Sequence, residues 1–371
     1  MPGQAQIIRT VTFFWLIAKL ISYKVWLADR LYPVVPVFDF SANLPGYFHT
    51  MLFCSSILLL IYLLVLPKNN GAILLLIFTE LLSCLLDVTR WQPWEYLYWF
   101  LFAIIAAYGK NKERLYIALT LVFASTYIFS GLHKLNGGFL YSVWKVTILH
   151  ELFGIPHEAG KNLLVHYSGL LLPIFETAAG IGLLFFKNKR LPVYVLIAMH
   201  LFILVLVGPL GTNYNVIIWP WNVAMIFLLY LIFIKNNYGY FNAKTVLSGR
   251  YAVIILFWIV LPVASFGGCW SRYFSSSLYS GNTLNMDICF GESEVPEEID
   301  DFRAKKDKHK ICDGNARLSV LHWGLQELKV PPYPETWYYN RFKQEYEKKY
   351  STGDAAFIMY AYPYRQKQLA E

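Results

Sequence analysis

Residues 127–139 read YIFSGLHKLNGGF, and they end the long apolar run 115–133 with a histidine and a lysine. A run of this length is about sufficient to cross the ~30 Å hydrocarbon core of a membrane as a helix. At helical spacing, Tyr127, Ser130 and Lys134 lie on one face. The stretch therefore predicts a membrane-spanning helix that presents a lysine amine at its end.

The composition of the whole chain also indicates a membrane protein. Hydrophobic residues make up 57% of the 371 residues and charged residues only 15%, with a mean hydropathy of +0.42. These values exclude an ordinary soluble domain and favour a polytopic membrane protein. The net charge of +8 lies in short basic clusters between apolar runs. Such clusters are typical of topogenic charge, so we exclude nucleic acid as a partner.

Nine apolar runs predict about nine transmembrane helices. The first starts near Thr10 and carries Lys19 and Lys24 without a clear small-residue cleavage site, so we interpret it as a retained helix and not as a signal peptide. The other runs are 47–66, 71–88, 94–108, 115–133, 164–186, 191–208, 215–234 and 251–268. Most are long enough to span a bilayer, and 94–108 is the shortest.

The basic clusters predict the orientation of the chain. If the N-terminus is inside, segments 110–114, 187–190 and 235–250 face the cytoplasm and hold most of the lysines and arginines of the loops. Positive charge is retained on the cytoplasmic side. We therefore expect an integral membrane protein with a cytoplasmic N-terminus and an extracytoplasmic C-terminus.

The composition changes after the last apolar run, which predicts two domains. Residues 1–268 are expected to form the transmembrane domain and residues 269–371 an extracytoplasmic domain. In the second, strands are predicted at 284–290 and 355–362, with a helical region at 323–350 that prolines interrupt. The predicted fold class is an all-α polytopic membrane bundle with a small α+β extracytoplasmic C-terminal domain.

The cysteines agree with this topology. Cys54 and Cys84 lie in apolar runs, where we expect them to serve packing. Cys269, Cys289 and Cys312 lie in the outer domain, where one disulfide is expected. The first candidate pair is Cys289 with Cys312. No Cys/His spacing resembles a zinc site, and we predict no metal.

Four ionisable residues are predicted at a similar depth in the membrane. Glu176 and His200 are about equally far from the turn at 187–190, which places both roughly 18 Å from the inner surface. The same arithmetic places Lys19 roughly 16 Å and Glu80 roughly 14 Å from that surface. Ionisable residues are costly in a membrane, so they mark either pairing between helices or function. The layer is therefore either a structural tie or a proton path below a polar cavity.

A second polar cluster is predicted at the outer rim of the membrane. It comprises Asp87, Arg90, Trp91, Trp94, Glu95, His133 and Lys134. The tryptophans also fit the structural role of interface anchors. A pair between Asp87 and Lys134 would keep the amine charged, whereas an apolar wall would favour the neutral amine, which can act as a base. A snorkelling anchor is the structural alternative for Lys134.

Three blocks of the sequence carry a family resemblance. They are LDVTRWQPWEYLY at 86–98, SGLHKL at 130–135 and FETAAGIGLLFFK at 175–187, with His200 after the last. In this order they resemble the vitamin K-dependent γ-carboxylases and the bacterial horizontally transferred transmembrane (HTTM) domain proteins. In the carboxylases, the lysine that matches Lys134 is the base that starts oxygenation of vitamin K hydroquinone. The resemblance implies an outward-opening lipophilic cavity at Lys134 for a quinol or an isoprenoid-type lipid.

Two positions depart from the carboxylase pattern. The family's functional histidine before the Tyr-Leu-Tyr segment is matched by Trp94, and the tryptophan after the lysine is replaced around Phe139. An indole cannot accept a proton as an imidazole can. These departures argue against glutamate carboxylation itself. Residues 172–176 with Gly180 are also similar to the DoxX and MauE membrane proteins, which are linked to quinone and thiol redox work.

Two classes of function follow from these observations. As an enzyme, the chain would use Lys134 as the base and Glu176 and His200 as relay groups. The residues expected to line or support the cavity are Lys19, Glu80, Asp87, Trp94, Glu95, Tyr127, Ser130 and His133. The alternative is a non-catalytic scaffold or accessory subunit of an envelope, secretion or respiratory complex, which docks a protein partner through its C-terminal domain. The aromatic stretch 333–339 suits either such an interface or the core of that domain.

Overall fold

The computed structural model describes residues 2–208, 210–235, 246, 249–291, 295–304, 310–313, 315–350, 355–364 and 367–369. The chain is mostly helical and has a small antiparallel sheet. The main helices are α1 Pro2–Ile21, α2 Tyr47–Val65, α3 Asn70–Leu86, α4 Pro93–Tyr108, α5 Lys112–Lys134, α6 Leu163–Phe185, α7 Arg190–Val207, α8 Ile218–Lys235, α9 Ala252–Gly267, α10 Val320–Trp323 and α11 Thr336–Lys349. The strands are β1 Asn285–Phe290, β2 Ala316–Ser319, β3 Ala355–Tyr360 and β4 Lys367–Leu369.

Five of the described helices are long and apolar enough to cross a membrane, namely α2, α5, α6, α7 and α8. Helices α3 and α9 are apolar but shorter. Helix α4 has 16 residues, which extend only about 24 Å. The helical character of the chain is therefore shown, and five of its helices could span a membrane by length and composition, whereas nine spans remain a prediction.

Helix α5 is the most enclosed of the five. Of its most apolar window, 89% is buried, compared with 22% for α2 and 33% for α7. An apolar helix that is buried on all sides must be surrounded by other elements, whereas apolar side chains on an outer helix suit contact with lipid. Leu58 of α2 and Leu201 of α7 are examples of such exposed side chains. The helix that carries Lys134 is thus an interior helix.

Two glycines allow α5 and α6 to pack closely. A Cβ atom on Gly131 would lie 2.6 Å from the carbonyl oxygen of Pro173 and 2.9 Å from the amide nitrogen of Thr177. A Cβ atom on Gly180 would lie 2.9 Å from the amide nitrogen of Ile128. Small residues let membrane helices approach at the level of their backbones. The two glycines belong to different helices. Their close approach therefore does not depend on a Gly-x-x-x-Gly motif within one helix, and the sequence shows no strong motif of that kind.

Replacement of Gly180 by alanine is expected to lower the free energy of unfolding by about 1–3 kcal/mol, because the new methyl group meets backbone atoms of α5 that cannot turn aside. Denaturant titration of the detergent-solubilised protein measures this change. Gly267→Ala is the matched control, since a Cβ atom there has no neighbour within 4 Å. Equal destabilisation by the two substitutions would contradict the close packing of α5 and α6.

Close contacts divide the chain into two compact units. The first unit comprises Met1–Ala18, Leu59–Ile77 and Pro93–Gly281, and the second comprises Lys19–Leu58, Phe78–Gln92 and Asn282–Glu371. Helices α1, α2 and α3 contribute residues to both. The C-terminal segment therefore shares its unit with two earlier stretches of chain, and a linear domain boundary at residue 268 remains a prediction.

The second unit contains the sheet, in the order β2-β1-β3-β4 with antiparallel neighbours. The strands predicted at 284–290 and 355–362 are observed as β1 and β3, with Ile288 opposite both Leu318 and Phe357. A disulfide joins Cys289 and Cys312, the pair that the sequence puts first, with their Cα atoms 5.3 Å apart. This covalent link closes a loop between β1 and the segment before β2.

Aromatic side chains fill the core of the second unit. Tyr333, Tyr338 and Tyr339 of the stretch 333–339 are buried, whereas Trp337 is 51% exposed. The ring of Trp323 in α10 packs edge-on against that of Tyr346 in α11. The stretch thus serves mainly the core of its own unit.

Candidate functional site

Lys134 of the first unit forms an ion pair with Glu176. Its Nζ atom donates to the Glu176 carboxylate at 2.7 Å and to the hydroxyl of Ser130 at 2.7 Å. The lysine side chain is 13% exposed and the glutamate side chain 5% exposed. The amine is therefore the accessible end of a pair whose carboxylate lies inside the protein.

The helix geometry explains why these groups meet. Lys134 is in the last turn of α5, where a cation complements the helix dipole. Side chains on a helix point toward its N-terminus, which brings Lys134 over Ser130 one turn earlier. The close approach at Gly131 then places Glu176 of α6 within reach of the amine. The polar face predicted for α5 is thus the face that contacts α6.

A second chain of hydrogen bonds lies beside this pair. The Tyr127 hydroxyl is 2.8 Å from Nε2 of His200, and Nδ1 of His200 is 2.6 Å from the amide oxygen of Asn222. Asn222 in turn donates its amide group to the Ile218 carbonyl oxygen at 2.8 Å, which fixes the orientation of the amide. A histidine with its proton on Nδ1 satisfies both partners, with Tyr127 donating to Nε2.

The ion pair and the histidine chain belong to one electrostatic group. Glu176 interacts with both Tyr127 and His200, and Lys134 interacts with His200. Four helices contribute to the group, which comprises Tyr127, Ser130 and Lys134 of α5, Glu176 of α6, His200 of α7 and Asn222 of α8. The structure thus brings together the predicted base, both predicted relay residues and two of the predicted supporting residues.

The other rim residues of the first unit have partners of their own. The carboxylate of Glu95 accepts a hydrogen bond from the Trp15 indole at 2.6 Å. His133 Nε2 is 3.0 Å from the Ser265 hydroxyl, and the histidine ring stacks on Phe266 with 4.3 Å between centroids. Trp94 is buried in α4. The contacts of Glu95 and His133 tie α4 and α5 to neighbouring segments and support a structural role for these two residues.

Lys19 and Glu80 pair with each other in the second unit. Their Nζ and carboxylate atoms are 2.7 Å apart, and at most 1% of either side chain is exposed. The hydroxyl of Ser56 donates to the same carboxylate, and the lysine ammonium lies 3.2 Å from the centroid of the Trp26 ring. This set satisfies the charge of both residues. It supports the structural interpretation for these two residues of the predicted layer, as a tie between helices.

Asp87 pairs with Arg30, although the sequence proposed it as a partner for Lys134. Its carboxylate lies 2.5 Å from the guanidinium of Arg30 and 3.9 Å from that of Arg90, and all three side chains are fully buried. The carboxylate also accepts the Thr89 amide at 3.0 Å. The charge of Lys134 is instead balanced by Glu176, which no spacing in the sequence could indicate.

Arg90 organises the chain around Asp87. Its guanidinium donates to the carbonyl oxygens of Val25, Trp26 and Ser83 at 2.9–3.1 Å, and it lies 2.6 Å from Nδ1 of His49. Burial lowers the pKa of Arg90 to about 10, which leaves it charged at neutral pH. A buried cation with this many partners has a structural function.

Three residues of these clusters are missed by sequence reasoning. Asn222 is an amide in an apolar helix, which is a usable signal for an interior polar contact. Arg30 looks like an ordinary basic residue of an outer loop. Thr177 lies at the contact with Gly131, and its hydroxyl has no hydrogen-bond partner within the described part of the chain. The sequence gives no signal for this residue, and only the packing of α5 on α6 shows that its hydroxyl lies at the contact between the two helices.

Neither metal chemistry nor a known relative identifies the site. Among the described residues, no group of three or more His, Cys, Asp or Glu side chains is arranged to hold a metal ion. Comparisons of the chain with protein-family models, with curated proteins and with solved structures find no match.

Proposed function

We propose that the chain is an integral membrane protein of the HTTM and γ-carboxylase-like class, in which Lys134 faces a quinol- or lipid-type ligand in an outward-opening lipophilic cavity. One observation carries the proposal: the partly exposed amine of Lys134, at the end of the most enclosed of the five long apolar helices, is paired with the buried carboxylate of Glu176 on the neighbouring helix α6. A charged pair between two such helices is costly unless it has a function or a firm structural role.

The pair can move a proton. Transfer from the Lys134 ammonium to the Glu176 carboxylate leaves a neutral amine beside a neutral acid, without a change in net charge. The amine can then accept the proton of a ligand hydroxyl and return to the ammonium form, which pairs with the ligand oxyanion. A quinol hydroxyl is a suitable donor, because phenols and lysines have similar ordinary pKa values of about 10.

Neighbouring groups suit this chemistry. The Tyr127–His200–Asn222 chain supplies an imidazole that is held in one orientation, and an oriented imidazole can pass protons onward. The Thr177 hydroxyl supplies a donor that has no partner among the residues described. Trp94 stands where a carboxylase has its histidine, so we do not propose glutamate carboxylation.

The scaffold alternative receives less support. It rests on the aromatic stretch 333–339 as an interface, but all three tyrosines of that stretch are buried in their own unit. Trp337 is the exposed exception. A protein partner bound through this residue stays a second proposal.

Mass spectrometry of the gently solubilised protein distinguishes the two functions. We expect an organic extract to contain a quinone or a neutral isoprenoid-type lipid in near-stoichiometric amount, because the proposed cavity at Lys134 would retain this ligand through purification. A stoichiometric second protein, with no such molecule in the extract, would instead favour the scaffold.

A further inference from the structure

A basic cleft lies where α6 ends, α7 begins and α8 ends. Its volume is about 420 Å³, and its lining residues are Lys187, Asn188, Lys189, Arg190, Phe233 and Ile234. Lys187 and Arg190 are exposed, and Lys235 follows directly after the apolar wall formed by Phe233 and Ile234. The cleft therefore combines three cationic side chains with two apolar ones.

Lys189 forms the floor of this cleft. It is only 3% exposed, and its Nζ atom donates to the carbonyl oxygens of Leu183 and Leu184 at 2.7 and 3.2 Å. These carbonyls belong to the last turn of α6, which Lys189 caps. The floor thus has a structural role, and the exposed groups of Lys187 and Arg190 remain for a ligand.

No acidic residue balances this positive charge nearby in the chain. The sequence contains no Asp or Glu between Glu176 and Asp287. Within the described part of the chain, Lys187, Lys189 and Arg190 form no ion pair. Helix α7 begins at Arg190, and the positive end of its dipole adds to the potential. An anion is the ligand that this charge selects.

The position of the cleft selects phosphate as the anionic group. The cleft lies at the ends of three helices that are each long enough to cross a membrane, which is where lipid headgroups are found. Basic sites between membrane helices bind anionic phospholipid headgroups, and the apolar wall of the cleft suits the start of an acyl chain. Lys187 is eleven residues beyond Glu176 on α6, or ~16 Å of helix, so this site is separate from the one at Lys134.

We infer that this cleft binds a phosphate-bearing anion, either the headgroup of an anionic phospholipid or a soluble phosphate ester, through Lys187 and Arg190. The inference is independent of the proposed function, because the ligand class is charged and the site lies beyond the C-terminal end of α6, away from Glu176. The phosphate oxygens accept hydrogen bonds from the two side chains, with Arg190 able to bind two oxygens at once.

Native mass spectrometry of the full chain in lipid nanodiscs tests this inference. We expect the wild type to retain phosphatidylglycerol in preference to phosphatidylcholine. The variant Lys187→Gln/Arg190→Gln should weaken this binding about 30-fold, which corresponds to about 1 kcal/mol for each lost cation at a membrane surface. The matched control Lys68→Gln/Lys110→Gln removes two exposed cations outside the cleft and should change binding less than twofold.

Competition with inorganic phosphate separates the two sources of the ligand. Retained phosphatidylglycerol that millimolar phosphate does not displace assigns the site to a lipid headgroup. Direct binding of inorganic phosphate, with the same dependence on Lys187 and Arg190 and no lipid preference, assigns it to a soluble ester. The inference is overturned if neither probe distinguishes the cleft variant from the wild type, or if the control variant loses as much binding as the cleft variant.

Discussion

The double variant Lys134→Met/Glu176→Gln is expected to fold about as stably as the wild type and to lose turnover of the bound quinol- or lipid-type ligand by about 10²–10⁴-fold. This is the usual contribution of a positioned base. The double substitution removes both charges at once and keeps side chains of similar volume, so it leaves no buried charge without a partner. Turnover and the free energy of unfolding are measured on the same detergent-solubilised preparation.

The single variants are expected to behave differently from the double variant. Lys134→Met leaves the Glu176 carboxylate, which is 5% exposed, without its cation. Breaking a buried pair on one side costs about 3–5 kcal/mol. A double-mutant cycle built from the two single variants and the double variant should therefore show a coupling energy of more than about 1 kcal/mol between Lys134 and Glu176.

The exposed pair Lys161–Glu158 provides a matched control for that cycle. Its ammonium and carboxylate are also 2.7 Å apart, but its side chains are 67% and 77% exposed. Lys161→Met/Glu158→Gln makes the same chemical change in the same unit. It should alter neither turnover nor stability measurably, because exposed pairs contribute little. If this control loses as much turnover as the Lys134→Met/Glu176→Gln variant, removal of any charged pair lowers turnover, and Lys134 has no specific role.

Asp87→Ala is expected to lower the free energy of unfolding by about 3–5 kcal/mol. The substitution removes the carboxylate that lies 2.5 Å from Arg30 and 3.9 Å from Arg90, both of which are completely buried. Two buried guanidinium groups then repel each other without a compensating charge, which is more costly than loss of the hydrogen bonds alone. Denaturant titration followed by the near-ultraviolet signal of the buried tyrosines of this unit measures the change.

Asp300→Ala serves as the control for Asp87. Asp300 pairs with Arg303 at 3.9 Å, and both side chains are more than half exposed. We expect a change of less than about 1 kcal/mol, because solvent screens such a pair. If both aspartate variants unfold at the same denaturant concentration, Asp87 does not hold the second unit together.

The apolar periodicity of the chain predicts most of its helices well. The run 115–133 is observed as α5, and 191–208 as α7, within three residues at each end. Such runs are detectable because a long apolar stretch has few alternatives to a helix. The number of spans is less predictable, since a charge such as Lys19 or a short run such as 94–108 changes whether a helix can cross a membrane.

The polar pairings were predicted less well than the helices. Helical rise is regular, so the sequence predicts that Glu176 and His200 can face each other, and the two side chains interact in the structure. The direction of each side chain depends on how the helices rotate and pack, and a single sequence does not contain that information. For this reason the partner of Lys134 was found to be Glu176, and that of Asp87 was found to be Arg30.

Photoaffinity labelling tests directly whether Lys134 faces a lipophilic ligand. The probe is a quinone that carries a photoreactive diazirine, and labelled peptides are identified by mass spectrometry of the wild type in native lipid. If Lys134 faces such a ligand, we expect labels in residues 127–134 of α5 and 173–177 of α6, which excess unlabelled quinone removes. Labels that are spread over the exposed apolar faces of α2 and α7, and that excess quinone does not displace, would contradict a lipophilic ligand site at Lys134.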